Sequence, residues 1–350
     1  MNKYIPENIR AIEEYKPSEG SYQIRLDANE SPFNVDYLYL LSKTPLNRYP
    51  DPSCGQLVKK FANLYEINSK CVVAGNGSDE LISIIVNTFL KEGDSIAVTK
   101  PDFSMYSFYA SIHGCKVVAD EKSGDGGIDF EGFYSAAKSN NVKMVIFSNP
   151  CNPTGKAYDR DVILKLVDRL DCLCVVDEAY MEYCREGCSV LKDCEGRENL
   201  IVLKTLSKAY GIAGMRIGFA ISNEEIAKTL MKIKSPYNVN VVSQLVGYEA
   251  LKRNPFGIKI DKIRQRTAIL YKKLCALQEK GKYTALPTDA NFVLLAFENP
   301  LNAGVIYRKL QMEGIIIRKP DDFHLRITCG SEAEMSAFMD AFTECVNIDL

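Results

Sequence analysis

The chain has 350 residues, 46% hydrophobic and 25% charged, with 43 lysines and arginines against 45 aspartates and glutamates. This ordinary globular usage excludes a disordered chain, a collagen-like repeat and a miniature disulfide scaffold, and the formal charge of -2 gives no bulk attraction to nucleic acid or anionic membrane. Twelve cysteines, a polar N-terminus without a signal-peptide core, and no apolar run near the roughly 20 residues of a bilayer span point to the cytoplasm, with the thiols reduced and packed as small hydrophobes.

Residues 1–45, punctuated by Pro6, Pro17, Pro32 and Pro45, read as an arm and loops. Regular patterning starts with a helix over 56–65, a short strand over 72–74, the turn Gly75-Asn76-Gly77-Ser78-Asp79-Glu80 and an amphipathic helix to 91. Strands over 95–99, 116–119, 142–147, 174–176 and 200–204 then alternate with helices over 105–113, 130–139 and 160–170. Short apolar strands between helices predict a parallel sheet covered on both faces. A further strand over 219–222 and a helix over 224–232 follow, and 241–280 is mostly helical with a break near Pro255. The end reads as strand 291–296, helix 303–313, strands 315–317 and 324–328, and helix 332–345. The expected division is an N-terminal arm over 1–40 that contributes to a smaller domain, a large domain over 41–240, and the small C-terminal domain over 241–350.

Cys184, Cys188 and Cys194 lack the paired CxxC spacing of a structural zinc site, and His113 and His324 share no ligand pattern, so no metal is expected. Neither histidine sits in a nucleophile motif. The chemistry gathers instead after the predicted strands. Asn152-Pro153-Thr154-Gly155 follows one strand, Asp177-Glu178-Ala179-Tyr180 another, and Thr205-Leu206-Ser207-Lys208-Ala209-Tyr210-Gly211 a third, with Arg216 eight residues beyond the lysine. In an open α/β sheet the strand C-termini face the ligand crevice, so Ser78-Asp79, Asn152, Asp177, Tyr180 and Lys208 should meet there.

Taken in this order, the motifs resemble those of the fold-type I aminotransferases that use pyridoxal phosphate (PLP), the class II-like group, and most closely the histidinol-phosphate aminotransferases. The resemblance runs from Leu26-Asp27-Ala28-Asn29-Glu30 to Leu325-Arg326-Ile327-Thr328. It implies an α/β fold: a large domain with a mostly parallel central sheet between helices, plus a smaller α+β domain. It also implies a Schiff base between Lys208 and PLP, with Lys208 then carrying the substrate proton. Asp177 would pair with the pyridine nitrogen and keep the ring an electron sink. Asn152 and Tyr180 would bond the phenolic oxygen, and Phe103 would stack on the ring where many relatives carry Tyr. The phosphate would rest on Gly77, Ser78 and Asp79 at a helix N-terminus, with Arg216 and the hydroxyl of Thr205 or Ser207.

On the substrate side the resemblance implies that Arg326 grips a carboxylate through a planar two-point contact. Asn29 and Asn291 would line the same pocket, and Tyr15, Tyr237 and Asn238 the side-chain pocket. Tyr49 resembles a tyrosine that reaches the partner subunit's PLP, which implies a homodimer with shared active sites. No obvious arginine for a substrate phosphate stands near Tyr15; Arg25 or Lys16 could serve. Cys151 replaces an Asn often found before Asn-Pro-Thr-Gly. The implied reaction is amino transfer between L-histidinol phosphate and 2-oxoglutarate, giving imidazole acetol phosphate and L-glutamate in histidine biosynthesis. The alternatives are a related aminotransferase for aromatic or other amino acids, a threonine-phosphate decarboxylase, and a noncatalytic PLP-binding regulatory protein. The last would need a nucleic-acid module for which 350 residues leave no room.

Overall fold

The structure, a computed structural model, describes residues 4–10, 12, 22–253 and 257–347. Its strands are β1 (Ile24–Leu26), β2 (Val72–Gly75), β3 (Ser95–Lys100), β4 (Lys116–Glu121), β5 (Met144–Ser148), β6 (Leu173–Asp177), β7 (Leu200–Thr205), β8 (Gly218–Ile221), β9 (Tyr283–Ala285), β10 (Phe292–Phe297), β11 (Ile315–Asp321) and β12 (His324–Thr328). They form a seven-stranded sheet in the order β2-β8-β7-β6-β5-β3-β4 and a five-stranded sheet in the order β1-β11-β12-β10-β9. In the larger sheet β4, β3, β5, β6 and β7 run parallel, while β8 is antiparallel to both β7 and β2. The mostly parallel sheet expected from the alternation is therefore present, with one reversed strand.

Strand alternation explains why these runs are apolar throughout. Val145, Phe147, Cys174, Val176, Leu200 and Val202 point into one core, which also takes Leu57 and Phe61, Ile163 and Val167, and Val246 and Leu251 from three helices. The intervening Met144, Ile146, Val175, Ile201 and Leu203 point into a second core with Ile82, Ile85, Tyr106 and Leu230. A strand covered on both faces has no polar side to show.

The smaller sheet has its own core, built from Leu26, Val293, Leu295, Ile317, Leu325 and Ile327 against Phe338 and Phe342 of the last helix. The helix Ile258–Gly281 joins the two units: Ile260 and Ile263 pack into the large core, while Leu270 and Leu274 pack into the small one. The preceding helix Val241–Arg253 packs its Val246, Ala250 and Leu251 into the large core. The break near Pro255 falls between these two helices, with residues 254–256 outside the described set.

Two strands were not expected. Residues 24–26, read as loop, form β1, which pairs in parallel with β11, Ile24 opposite Ile315. Three residues are too few to show a period, and their partner lies nearly the whole chain away. Likewise β9, Tyr283–Ala285, is a three-residue edge strand on β10. All twelve cysteines are free thiols, and ten are buried. No helix among the described residues is long and apolar enough to cross a membrane.

Candidate active site

The strands of the large sheet end together on one edge. Because β2 is separated from β7 only by the reversed β8, its C-terminus emerges beside those of β7, β6, β5 and β3. The sequence motifs lie there. Asp177 closes β6, Asn152 follows β5, Lys208 follows β7 and Phe103 follows β3.

Asp177 is buried, and both its bonds come from neutral donors: Tyr106 Oη donates at 2.9 Å and Ala179 N–H at 3.0 Å. Burial pushes its carboxyl up to about 7, although the Tyr106 and Ala179 bonds pull the other way. A cationic N–H would relieve that desolvation. Phe103 meets the edge of Tyr106 at 5.6 Å between ring centroids, so the expected stacking residue and the Asp177 partner pack as one unit. Tyr106 is a site residue the sequence reading missed; its spacing of three from Phe103 was the available signal.

Lys208 is half-buried; its Nζ donates to the Ala28 carbonyl at 2.7 Å and lies 5.8 Å from the Tyr180 ring centre. Tyr180 Oη accepts from Asn29 Nδ2 at 3.0 Å, and Asn291 Nδ2 donates to the Asn29 carbonyl at 3.2 Å. Thr328 Oγ1 accepts from Asn29 N–H and donates to Asn29 Oδ1, at 3.0 and 2.9 Å. This net draws Asn29, Asn291 and Tyr180 to one place although 262 residues separate the two asparagines. Arg326 completes it, with Nη1 donating to Asn152 Oδ1 and Nη2 to the Asp27 carbonyl at 2.6 Å.

An anion cradle stands on the other side. The helix Ser78–Phe89 begins after Gly77, whose φ of 86° lies in the region that favours glycine. A Cβ at Gly77 would come within 2.6 Å of Arg216 Nη2, so the absent side chain keeps the guanidinium against the helix N-terminus. Arg216 also bonds Ser207 Oγ at 3.4 Å and Asp79 Oδ2 at 3.2 Å. Thr205 Oγ1 lies 3.2 Å from the Ile217 carbonyl and accepts from Ser207 N–H at 3.1 Å, which commits it to the turn and leaves Ser207 beside Arg216.

Pyridoxal phosphate fits this set. The helix N-terminus with Gly77, Ser207 and Arg216 suits a phosphate, buried Asp177 suits a protonated ring nitrogen, and Lys208 supplies the amine between them. The sequence profile of the aminotransferase class I and II family matches residues 21–342. The histidinol-phosphate aminotransferase of Caldanaerobacter subterraneus subsp. tengcongensis is 34% identical over 99% of this chain and 100% of its own length.

The chain belongs to the class I and II aminotransferases, in their histidinol-phosphate aminotransferase-like branch.

It is a PLP-dependent enzyme of fold type I. The histidinol-phosphate aminotransferase of Sinorhizobium meliloti, solved with PLP, superposes with a TM-score of 0.88 at 23% identity over 98% of both chains. An L-threonine-O-3-phosphate decarboxylase from Porphyromonas gingivalis shares the fold at a TM-score of 0.78 and 23% identity, over 92% of this chain and 98% of its own.

The remaining expected residues lie elsewhere or are tied differently. Tyr49, 83% exposed, stacks on Tyr237 at 4.6 Å between ring centres, at the surface of this chain. Asn238 is held by Lys234 and donates to Glu80 Oε2, both at 2.6 Å; Glu80 also accepts from Asn76 N–H, so Asn238 braces the turn over residues 75–80. Tyr15 and Lys16 lie outside the described residues. Arg25 is half exposed and ion-paired with Asp27 at 3.3 Å. One basic residue was missed: Arg318, directly opposite Arg326 in the antiparallel pairing of β11 and β12. Directly opposed residues project from the same face of a sheet, so the two guanidiniums share a side. The expected strand stopped at residue 317, one short of it.

Proposed function

We propose that the enzyme transfers an amino group between L-histidinol phosphate and 2-oxoglutarate, yielding imidazole acetol phosphate and L-glutamate. The observation that carries this reading is the cross-strand pair Arg318 and Arg326. Two guanidiniums projecting from one sheet face suit a phosphate, whose several oxygens can accept from more than one planar fork. Family membership supports the same choice.

Bound PLP supplies the electron sink that makes the substrate's α C–H acidic. Everything else falls to the chain. Lys208 moves the proton at that carbon, as an amine can act as base and then as acid. Asp177 accepts the ring N–H, and Tyr180 and Asn152 orient the ring oxygen. Arg326 meets the donor's phosphate in one half-reaction and a carboxylate of the acceptor in the other, while Arg318 adds a second fork for the phosphate. Tyr49 would complete the site of a second copy of the chain in a homodimer, which its 83% exposure leaves room for. The proposed setting is the cytoplasm, a reading that the twelve free thiols support because a reducing compartment keeps them so.

The test is a donor screen with PLP-loaded protein. Histidinol phosphate with 2-oxoglutarate should give glutamate faster than phenylalanine or tyrosine does. Carbon dioxide release from threonine phosphate, with no need of a keto acid, would replace this reading by decarboxylation; preference for the aromatic donors would replace it by a related transaminase.

A further inference from the structure

Next to the residues assigned above lies a buried ion pair that the site reading leaves unused. Lys122 and Asp102 meet at 3.1 Å with side chains 1% and 2% exposed. Lys122 Nζ has three acceptors: Asp102 Oδ2, the Pro101 carbonyl at 2.7 Å and Cys151 Sγ at 2.9 Å. Asp102 accepts four further bonds. Thr99 Oγ1 and Ser148 N–H reach Oδ2 at 2.7 and 3.2 Å, and Phe103 N–H reaches Oδ1 at 2.8 Å; Ser148 Oγ donates to Oδ1 as well.

Both ends of this network touch the active site. Phe103 is the next residue in the chain and packs on Tyr106, the partner of Asp177. Ser148 Oγ accepts from Asn152 N–H at 3.0 Å, and Ser148 is the ladder neighbour of Asp177 in the pairing of β5 and β6. Cys151 immediately precedes Asn152. One cation therefore ties the loop after β3 to the loop after β5, and it neutralises the second carboxylate that stands beside Asp177.

We propose that Lys122 is a positioning residue of this enzyme: through Asp102 and Cys151 it fixes Phe103 and Asn152 around the cofactor ring, and it cancels the Asp102 charge that Lys208 and the cofactor would otherwise feel.

The electrostatics agree. Burial pulls the Lys122 ammonium down, but the Asp102 carboxylate more than offsets this, so its pKa is raised and the charge is retained. The titratable groups facing the pair are Tyr106, Cys151, Tyr158 and Asp177. Burial holds the phenols of Tyr106 and Tyr158 up, the latter to about 12, so neither ionises near neutrality. Without Lys122, Asp102 keeps four hydrogen-bond donors but loses its counter-charge. An uncompensated anion favours the protonated form of the Lys208–cofactor linkage.

The experiment titrates the visible absorbance of PLP-loaded protein against pH in Lys122→Met, Lys122→Arg and the double variant Lys122→Met with Asp102→Asn. Lys122→Met should raise the midpoint by about one unit and lower kcat about tenfold, with KM moving much less. Lys122→Arg and the double variant should bring the midpoint back towards that of the unaltered enzyme. Should Lys122→Met fail to fold, Lys122→Gln, which keeps donors and removes only the charge, carries the same expectation. A folded Lys122→Met or Lys122→Gln with an unshifted midpoint and unchanged kcat would overturn the proposal. The inference rests on PLP being held by Lys208; absence of the visible band in the unaltered enzyme would strike that reading instead.

Discussion

The site has two halves that the fold assembles in different ways. The cofactor half comes from neighbouring strand ends of one sheet, within residues 77–216, where Arg216 faces Asp79 and Lys122 faces Asp102. The substrate half is sewn together from Asn29, Asn291, Arg318 and Arg326, on β10–β12 and the N-terminal segment, and its arginines stand opposite each other. A half built on neighbouring strand ends of one sheet suits a resident group. A half in which two guanidiniums share one sheet face suits an anionic visitor.

Removing the one residue that serves both halves should have the largest effect. Lys208→Ala is expected to lower turnover by about a thousandfold or more, since it deletes both the linkage to PLP and the proton carrier. Glutamate formation measures the loss, and the visible absorbance change on adding PLP should vanish with it.

A subtler break of the cofactor half comes from its buried carboxylate. With Asp177 near 7 in the fold, the folded chain keeps a proton that the unfolded chain loses near pH 4. The stability of the cofactor-free protein should therefore fall as pH rises from 4 to 7 and level off above. Asp177→Asn removes this cost, up to about 4 kcal/mol at 1.36 kcal/mol per pKa unit. Denaturant melts at pH 4 and pH 8 should show the variant more stable than the unaltered apoprotein at pH 8 and matched at pH 4, while PLP binding weakens.

The two halves also differed in how legible they were. Lys208, Asp177 and Asn152 stand in short motifs directly after strands whose apolar runs mark them, so local pattern and the rule about strand ends bring them together, whereas the role of Arg216 came only with the resemblance. The substrate half offered no such run. β1 is three residues long and finds its partner β11 only through the tertiary fold. Arg318 became visible only with the register of β11 on β12, and the Asp102–Lys122 pair only once β3 and β4 lay side by side. Asn238, assigned to the substrate pocket by resemblance, bonds Glu80 beside the turn over residues 75–80 in this chain, a contact that no local pattern announced.

In the substrate half, Arg326→Gln should raise KM for donor and acceptor alike by roughly 10–100-fold, because it removes charge-assisted bonds used in both half-reactions. Initial rates with each substrate varied in turn will show whether both constants move. A change in only one would assign Arg326 to a single half-reaction.

The decisive measurement is a comparison of kcat/KM for histidinol phosphate and for histidinol, its unphosphorylated form, in the unaltered enzyme and in Arg318→Gln. If the paired arginines read a phosphate, the unaltered enzyme should prefer the phosphorylated donor strongly. The variant should lose about tenfold or more of that preference, with the KM for 2-oxoglutarate little changed. Equal use of the two donors by the unaltered enzyme, or a preference untouched by Arg318→Gln, would contradict the assignment.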